Sequence, residues 1–100
     1  REGLPSVKKR FMRGMAPGNA LIVTTRIYGE SKEQIEQVFV EVRNWRGETL
    51  EGKLASPPRL KNHQEGESLI VREADVLDWT IVKPDGSHEG NFVGHGLETK

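Results

Sequence analysis

The chain has 100 residues, 30% of them charged and 34% hydrophobic, with a formal net charge of zero and no cysteine. That is the length of one domain, and it excludes disulfides, thiolate zinc sites and cysteine nucleophiles. The longest wholly apolar run, residues 20–23, is strand-sized, whereas a membrane-spanning helix needs ~20 residues.

The charge is unevenly spread. Residues 1–30 hold six Lys or Arg against two acids, and the remaining seventy hold nine against thirteen. The first residue is Arg rather than Met, so the chain is expected to be a fragment or to have lost its start. A leader or upstream domain therefore stays open. The cytoplasm is the favoured compartment, and export is left open.

The first element is SVKKRFMRGM, residues 6–15. Val7, Phe11 and Met15 recur every four residues, with Met12 beside them, opposite Lys8, Lys9, Arg10 and Arg13. That spacing predicts a short amphipathic helix, opened by Pro5 or Ser6 and closed by Ala16-Pro17-Gly18. ALIVTTRIY, residues 20–28, is rich in β-branched residues and reads as a strand. Ser31-Lys32-Glu33-Gln34 has the form of a capping box. Val38, Phe39, Val40 and Val42 follow too closely for a helix, so a turn over 29–33 and a strand over 34–45 are expected.

Arg46-Gly47-Glu48 turns the chain into TLEGKLA. A simple two-residue loop at Arg46-Gly47 would set Val42 opposite Glu51 and Val40 opposite Lys53. A shift by one sets Val40 opposite Leu54 and Val42 opposite Gly52, which gathers apolar side chains on one face. A three-residue loop or a bulge is therefore expected, with Phe39 on the other face. Pro57-Pro58 cannot continue a central strand and opens an irregular stretch to Gly66. Ser68–Val71 reads as a strand, Glu73–Asp78 as one helical turn and Trp79–Lys83 as a strand. Pro84-Asp85-Gly86 is a turn, and a last strand runs from His88 to Val93.

This order predicts an α+β domain spanning residues 1–100. An N-terminal helix packs on a strongly curved antiparallel sheet of five or six short strands, in the manner of a small half-open barrel. The sheet core covers about 20–94 and the tail 95–100 frays. The expected core residues are Phe11, Val40, Val42, Leu54, Ile70, Trp79 and Ile81.

Over residues 38–93, VFVEVRNWRGETLEGKLASPP, LKNHQEGESLIV and ADVLDWTIVKPDGSHEGNFVG resemble the YegJ-like family of bacterial domains, domain of unknown function number 2314. Phe39-Val40-Glu41-Val42 stands where that family has an aromatic-Val-x-Val strand. Gly52-Lys53-Leu54 matches its G-x-L strand, Gly66-Glu67 its loop and Asp78-Trp79 its D-W pair. Each motif is weak, and their shared order carries the resemblance. Ala55-Ser56-Pro57-Pro58 departs from a segment where the family tends to carry Asn, often with an acid, before Pro. The family brings no activity to transfer. Its attachment in some members to modules such as ankyrin repeats implies an accessory role, by analogy.

No catalytic constellation is found. The five serines fall at turns, caps or strand starts, and the glycines are scattered rather than gathered into a phosphate loop. His63, His88 and His95 lack familiar zinc spacings, so no metal and no cofactor is expected. Asp78-Trp79 reads as a core tryptophan beside a carboxylate that satisfies backbone donors. The expected function is a non-catalytic module that binds a protein partner or a domain fused upstream. Its candidate surface comprises Pro57, Pro58, Lys61 and His63 on the long irregular Ser56–Gly66 segment, with Trp45 and Arg46 at the adjacent turn. The alternative is a small β domain that binds nucleic acid through Lys8, Lys9, Arg10, Arg13, Arg43 and Arg46. A third reading is an enzyme of unrecognised chemistry.

Overall fold

The computed structural model describes residues 4–31 and 33–90. It contains one helix, α1 (Leu4–Arg13), and strands β1 (Ala20–Tyr28), β2 (Ile35–Arg46), β3 (Thr49–Leu54), β4 (Ser68–Arg72), β5 (Asp78–Val82) and β6 (His88–Gly90). A single 3-10 turn, Glu73–Asp75, links β4 to β5. The six strands form one sheet in the order β4-β3-β2-β1-β5-β6, and every neighbouring pair is antiparallel. The α+β expectation holds, and the sheet is not closed into a barrel.

The helix starts two residues earlier than its sequence pattern suggests, because Leu4 extends the apolar stripe. Leu4 and Val7 are buried, and Phe11 and Met15 pack against the core from its edge. Met12, expected beside the stripe, is exposed. Gly14 ends the helix with a positive φ of 94° and donates its N–H to the Phe11 carbonyl. This left-handed position is one that glycine takes without steric cost.

The β2–β3 hairpin has the register that its side chains demand, with Val40 opposite Leu54 and Val42 opposite Gly52. It gets there by a tight turn through Gly47 and Glu48 plus a shift of register between Val42 and Asn44. Arg43 is the extra residue, as in a β-bulge. The bulge inverts the alternation, so that Trp45 points to the same face as Val42. The inner face then gathers Leu21, Val23, Val40, Val42, Trp45, Leu50, Val71, Val76, Trp79 and Ile81 beneath α1. A second cluster, Ile27, Val38 and Leu54, sits farther along that face and is covered by Leu60 and Leu69.

Ile70 is not in the core as expected; it is 72% exposed. It lies opposite Glu51, while its neighbours Leu69 and Val71 lie opposite Gly52 and Leu50. Two of the three apolar residues in Leu69-Ile70-Val71 therefore face inward, and Ile70, between them, must face outward. The turn before β2 makes one of the two capping-box bonds, Gln34 to Ser31, without a helix. Ser31 Oγ accepts the Glu33 N–H, and Gln34 Oε1 accepts the Ser31 N–H. At the Pro84–Gly86 turn, Asp85 accepts from the backbone and hydroxyl of Ser87. The end of the last expected strand and the expected tail, including Phe92, Val93 and His95, lie outside the described residues.

Candidate protein-interaction site

The bulge at Arg43 removes Trp45 from the expected surface. The indole is 3% exposed and stacks obliquely on Phe11 with ring centroids 6.1 Å apart. Its Nε1–H donates to Glu73 Oε2 at 2.8 Å. Lys8 Nζ reaches the same oxygen at 2.7 Å and lies 5.6 Å from the ring centroid. Trp45 therefore joins the helix, the β2–β3 hairpin and the 3-10 turn. Sequence alternation alone put it outside; the signal that could have moved it inside was the one-residue shift demanded by the register.

The irregular segment from Ser56 to Gly66 folds back on the sheet. Ser56 Oγ accepts the Phe39 N–H. The half-buried Glu36 carboxylate accepts the N–H groups of Arg59 and Leu60, which seats Leu60 on the second cluster. His63 Nδ1 lies 2.7 Å from Glu67 Oε2, and its Nε2 lies 3.2 Å from the Tyr28 carbonyl. The Gln64 N–H and then His63 hold the Glu67 carboxyl below its ordinary pKa. The nitrogen that would act as a base toward a substrate instead faces a backbone oxygen, so the pair braces the loop. Pro57, Lys61 and Arg46 are exposed, and Pro58 and His63 are partly buried. Arg46 stands at the far end of β2 from this segment, so the structure does not gather the six expected residues into one surface.

The basic residues are also divided. Lys8 is engaged with Glu73 and with the Gly47 carbonyl, on the hairpin side of α1. Arg10 pairs with Glu89 on β6, which raises the guanidinium pKa and lowers that of Glu89. Arg43 pairs with Glu41. Among the described residues, no group of three or more His, Asp or Glu is placed to hold a metal ion, and no helix is long and apolar enough to cross a membrane.

A different feature stands out. The segments Thr25–Tyr28 of β1 and Leu69–Arg72 of β4 line one cleft of about 440 Å³, with Ala74, Asp75 and Leu77 at one end. These strands are not neighbours in the sheet order; the sheet curls so that they face each other. In an antiparallel ladder alternate residues turn their N–H and C=O to opposite sides. Gly29 donates to the Gln34 carbonyl and Leu77 to the Thr24 carbonyl, each at 2.8 Å. Odd-numbered β1 residues therefore bond β2, and even-numbered ones face the β5 side. Pairing with β5 stops at Thr24, so Arg26 and Tyr28 turn their backbone groups into the cleft. On β4, Glu67 and Glu73 bond Leu54 and Glu48 of the β3 side, so Ser68, Ile70 and Arg72 turn theirs outward.

The outer face of the sheet beside this cleft carries exposed apolar side chains among charged and polar ones such as Arg26, Gln37 and Glu51. Tyr28 and Ile35, directly opposed across β1 and β2, are 55% and 54% exposed, and Phe39 is 47% exposed. With Ile70 they account for four of the five exposed large hydrophobic side chains among the described residues. The sequence pattern places Phe39 on the outer face; that it shares this face with Tyr28, Ile35 and Ile70 follows only from the pairing.

Residues 5–98 match the model of a family described as an uncharacterised protein conserved in bacteria, DUF2314. No curated protein and no solved structure matches the chain.

Proposed function

The chain belongs to the bacterial family DUF2314, and we propose that it is a non-catalytic module that binds a partner protein through the outer side of its sheet. The observation that carries this reading is the exposure of Tyr28, Ile35, Phe39 and Ile70 on one face. Large apolar side chains gathered on a surface mark interaction sites more often than scattered ones do. The reading differs from the sequence expectation in the surface it uses, because Trp45 is buried and the Ser56–Gly66 segment is engaged with the sheet. Nucleic acid is less well supported, since Lys8, Arg10 and Arg43 are committed to carboxylates.

The test is capture of partners by cross-linking in nuclease-treated bacterial extract, followed by affinity measurement with the purified partner. An Ile35→Ser/Phe39→Ser variant alters only exposed positions and is expected to keep its melting temperature while binding at least tenfold more weakly. The reading is overturned by micromolar oligonucleotide binding that weakens with a log–log salt slope near −0.7 to −0.9 per phosphate and is lost in a folded Lys9→Glu/Arg13→Glu/Arg46→Glu variant.

A further inference from the structure

We propose that the cleft between β1 and β4 takes a short extended segment of the partner protein as an added strand, with apolar residues facing inward and an acidic residue beside Arg26. This rests on the reading of the chain as a protein-binding module and names how and what it binds.

The backbone argues for a strand. Two rows of main-chain groups face one another across the cleft: Arg26 and Tyr28 on one wall, Ser68, Ile70 and Arg72 on the other. Exposed edges of this kind are commonly blunted by Lys, Pro or a covering segment. Here β4 presents Ile70, 72% exposed, at the middle of its edge. Strand addition supplies main-chain partners to such an edge and reads alternate side chains.

The ends of the cleft set the length. At one end Thr25 Oγ1 donates to the Asp75 carbonyl at 2.9 Å, and Leu77 occupies the Thr24 carbonyl. At the other, Asn62 and His63 occupy the Tyr28 carbonyl. Between them lie four β1 residues, about 13 Å at the usual rise of a strand. The site therefore takes three or four residues. Because β1 and β4 run antiparallel to each other, the guest is antiparallel to one wall and parallel to the other.

The side chains set the chemistry. Inward positions lie over Thr25, Ile27, Leu69 and Val71, of which Thr25, Ile27 and Val71 are buried, so the floor suits only a short apolar side chain. Outward positions meet Tyr28 and Ile70, flanked by Arg26 and Arg72. Arg72 already bonds Asp75 at 3.3 Å. Arg26 makes no ion pair among the described residues, so the lining carries a net positive charge that a guest carboxylate complements.

The probe is the acetylated, amidated pentapeptide Thr-Val-Asp-Val-Thr, titrated into the full chain and followed by amide NMR. Saturable shifts are expected at the amides of Arg26, Ile70 and Arg72. Alternate N-methylation of the peptide, which removes main-chain donors and keeps every side chain, is expected to weaken binding at least tenfold. Exchanging Asp for Lys is expected to weaken it several-fold, and Arg26→Glu to reverse that preference. Ile70→Pro removes an N–H that points away from β3, as edge strands tolerate, and is expected to abolish binding without lowering the melting temperature. Absence of saturable binding, or binding indifferent to N-methylation, overturns the strand-addition inference. Shifts confined to Ile35 and Phe39 overturn it too, and leave the protein-binding reading standing. Dimerisation of the free chain that Ile70→Pro abolishes also overturns it, since the edge would then be filled by a second copy.

Discussion

The Trp45 indole donates to the Glu73 carboxylate at 2.8 Å, and the same oxygen receives Lys8 at 2.7 Å. One carboxylate thus ties the hairpin and the helix to the turn that carries the chain from β4 to β5. The ring supplies apolar burial, and its single N–H is matched, as a buried tryptophan requires. Trp45→Ala is expected to cost about 3–5 kcal/mol, the usual range for deleting a large buried aromatic. Trp45→Phe keeps much of the packing, leaves Lys8 on Glu73 and is expected to cost about 1–2 kcal/mol. Urea unfolding of the two variants checks this; equal, negligible losses would mean that the ring is dispensable to the core.

Helix α1 is short for a helix that must hold itself together in water, and docking through Leu4, Val7 and Phe11 supplies what its length does not. Deleting residues 1–16 uncovers Trp45, Val42 and Ile81. The truncated chain is expected to aggregate or to bind a hydrophobic dye strongly. A monomeric, cooperatively folding truncation, measured by light scattering and thermal melting, would show that the sheet closes its core without the helix.

Much of this architecture was legible because the relevant signals are local. The β-branched run at 20–28 reproduces β1 residue for residue, and the demand that Val40 meet Leu54 anticipated the irregularity in the hairpin. What remained hidden depends on phase. The bulge at Arg43 decides which face Trp45 takes, and no residue near it announces where the extra residue sits. Ile70 looks like core by hydrophobicity, and only the partners of Leu69 and Val71 reveal that it points out. The cleft was not legible at all, since it lies between strands that 39 residues of sequence separate and that face each other only because the sheet curls.

Gly52 marks another consequence of the bulge. A Cβ placed there would lie 2.2 Å from the Glu41 carbonyl oxygen and 2.8 Å from Val40 Cγ1. The first neighbour is backbone and cannot swing aside. Gly52→Ala is therefore expected to destabilise by about 1–3 kcal/mol, the range for overpacking a closed core, although alanine ordinarily suits a strand interior better than glycine. Chemical denaturation compares it with Gly47→Asn at the hairpin turn, where a Cβ meets no atom within 4 Å and φ is 55°, a region that asparagine tolerates. Gly47→Asn is expected to be nearly neutral; equal effects at the two sites would refute the steric account.

The bracing of the 55–67 segment predicts a response to acid. The Gln64 N–H and then His63 lower the Glu67 pKa in the folded chain. A group whose folded pKa is depressed stabilises fully above its unfolded value and loses that contribution as pH falls through the folded one. The segment is thus expected to hold at neutral pH and to loosen below the ordinary glutamate range, while α1 and the inner cluster persist. Glu67 is solvent-accessible, so the effect is a local opening and not global unfolding. Hydrogen exchange of the Gln64 and Gly66 amides, followed from neutral pH downward and corrected for intrinsic rates, is expected to show protection lost in acid. In Glu67→Gln the neutral side chain keeps its shape and a weaker acceptor, so protection is expected to be lower at neutral pH and nearly independent of pH. Equal pH dependence in the two proteins would place the acid-sensitive contact elsewhere.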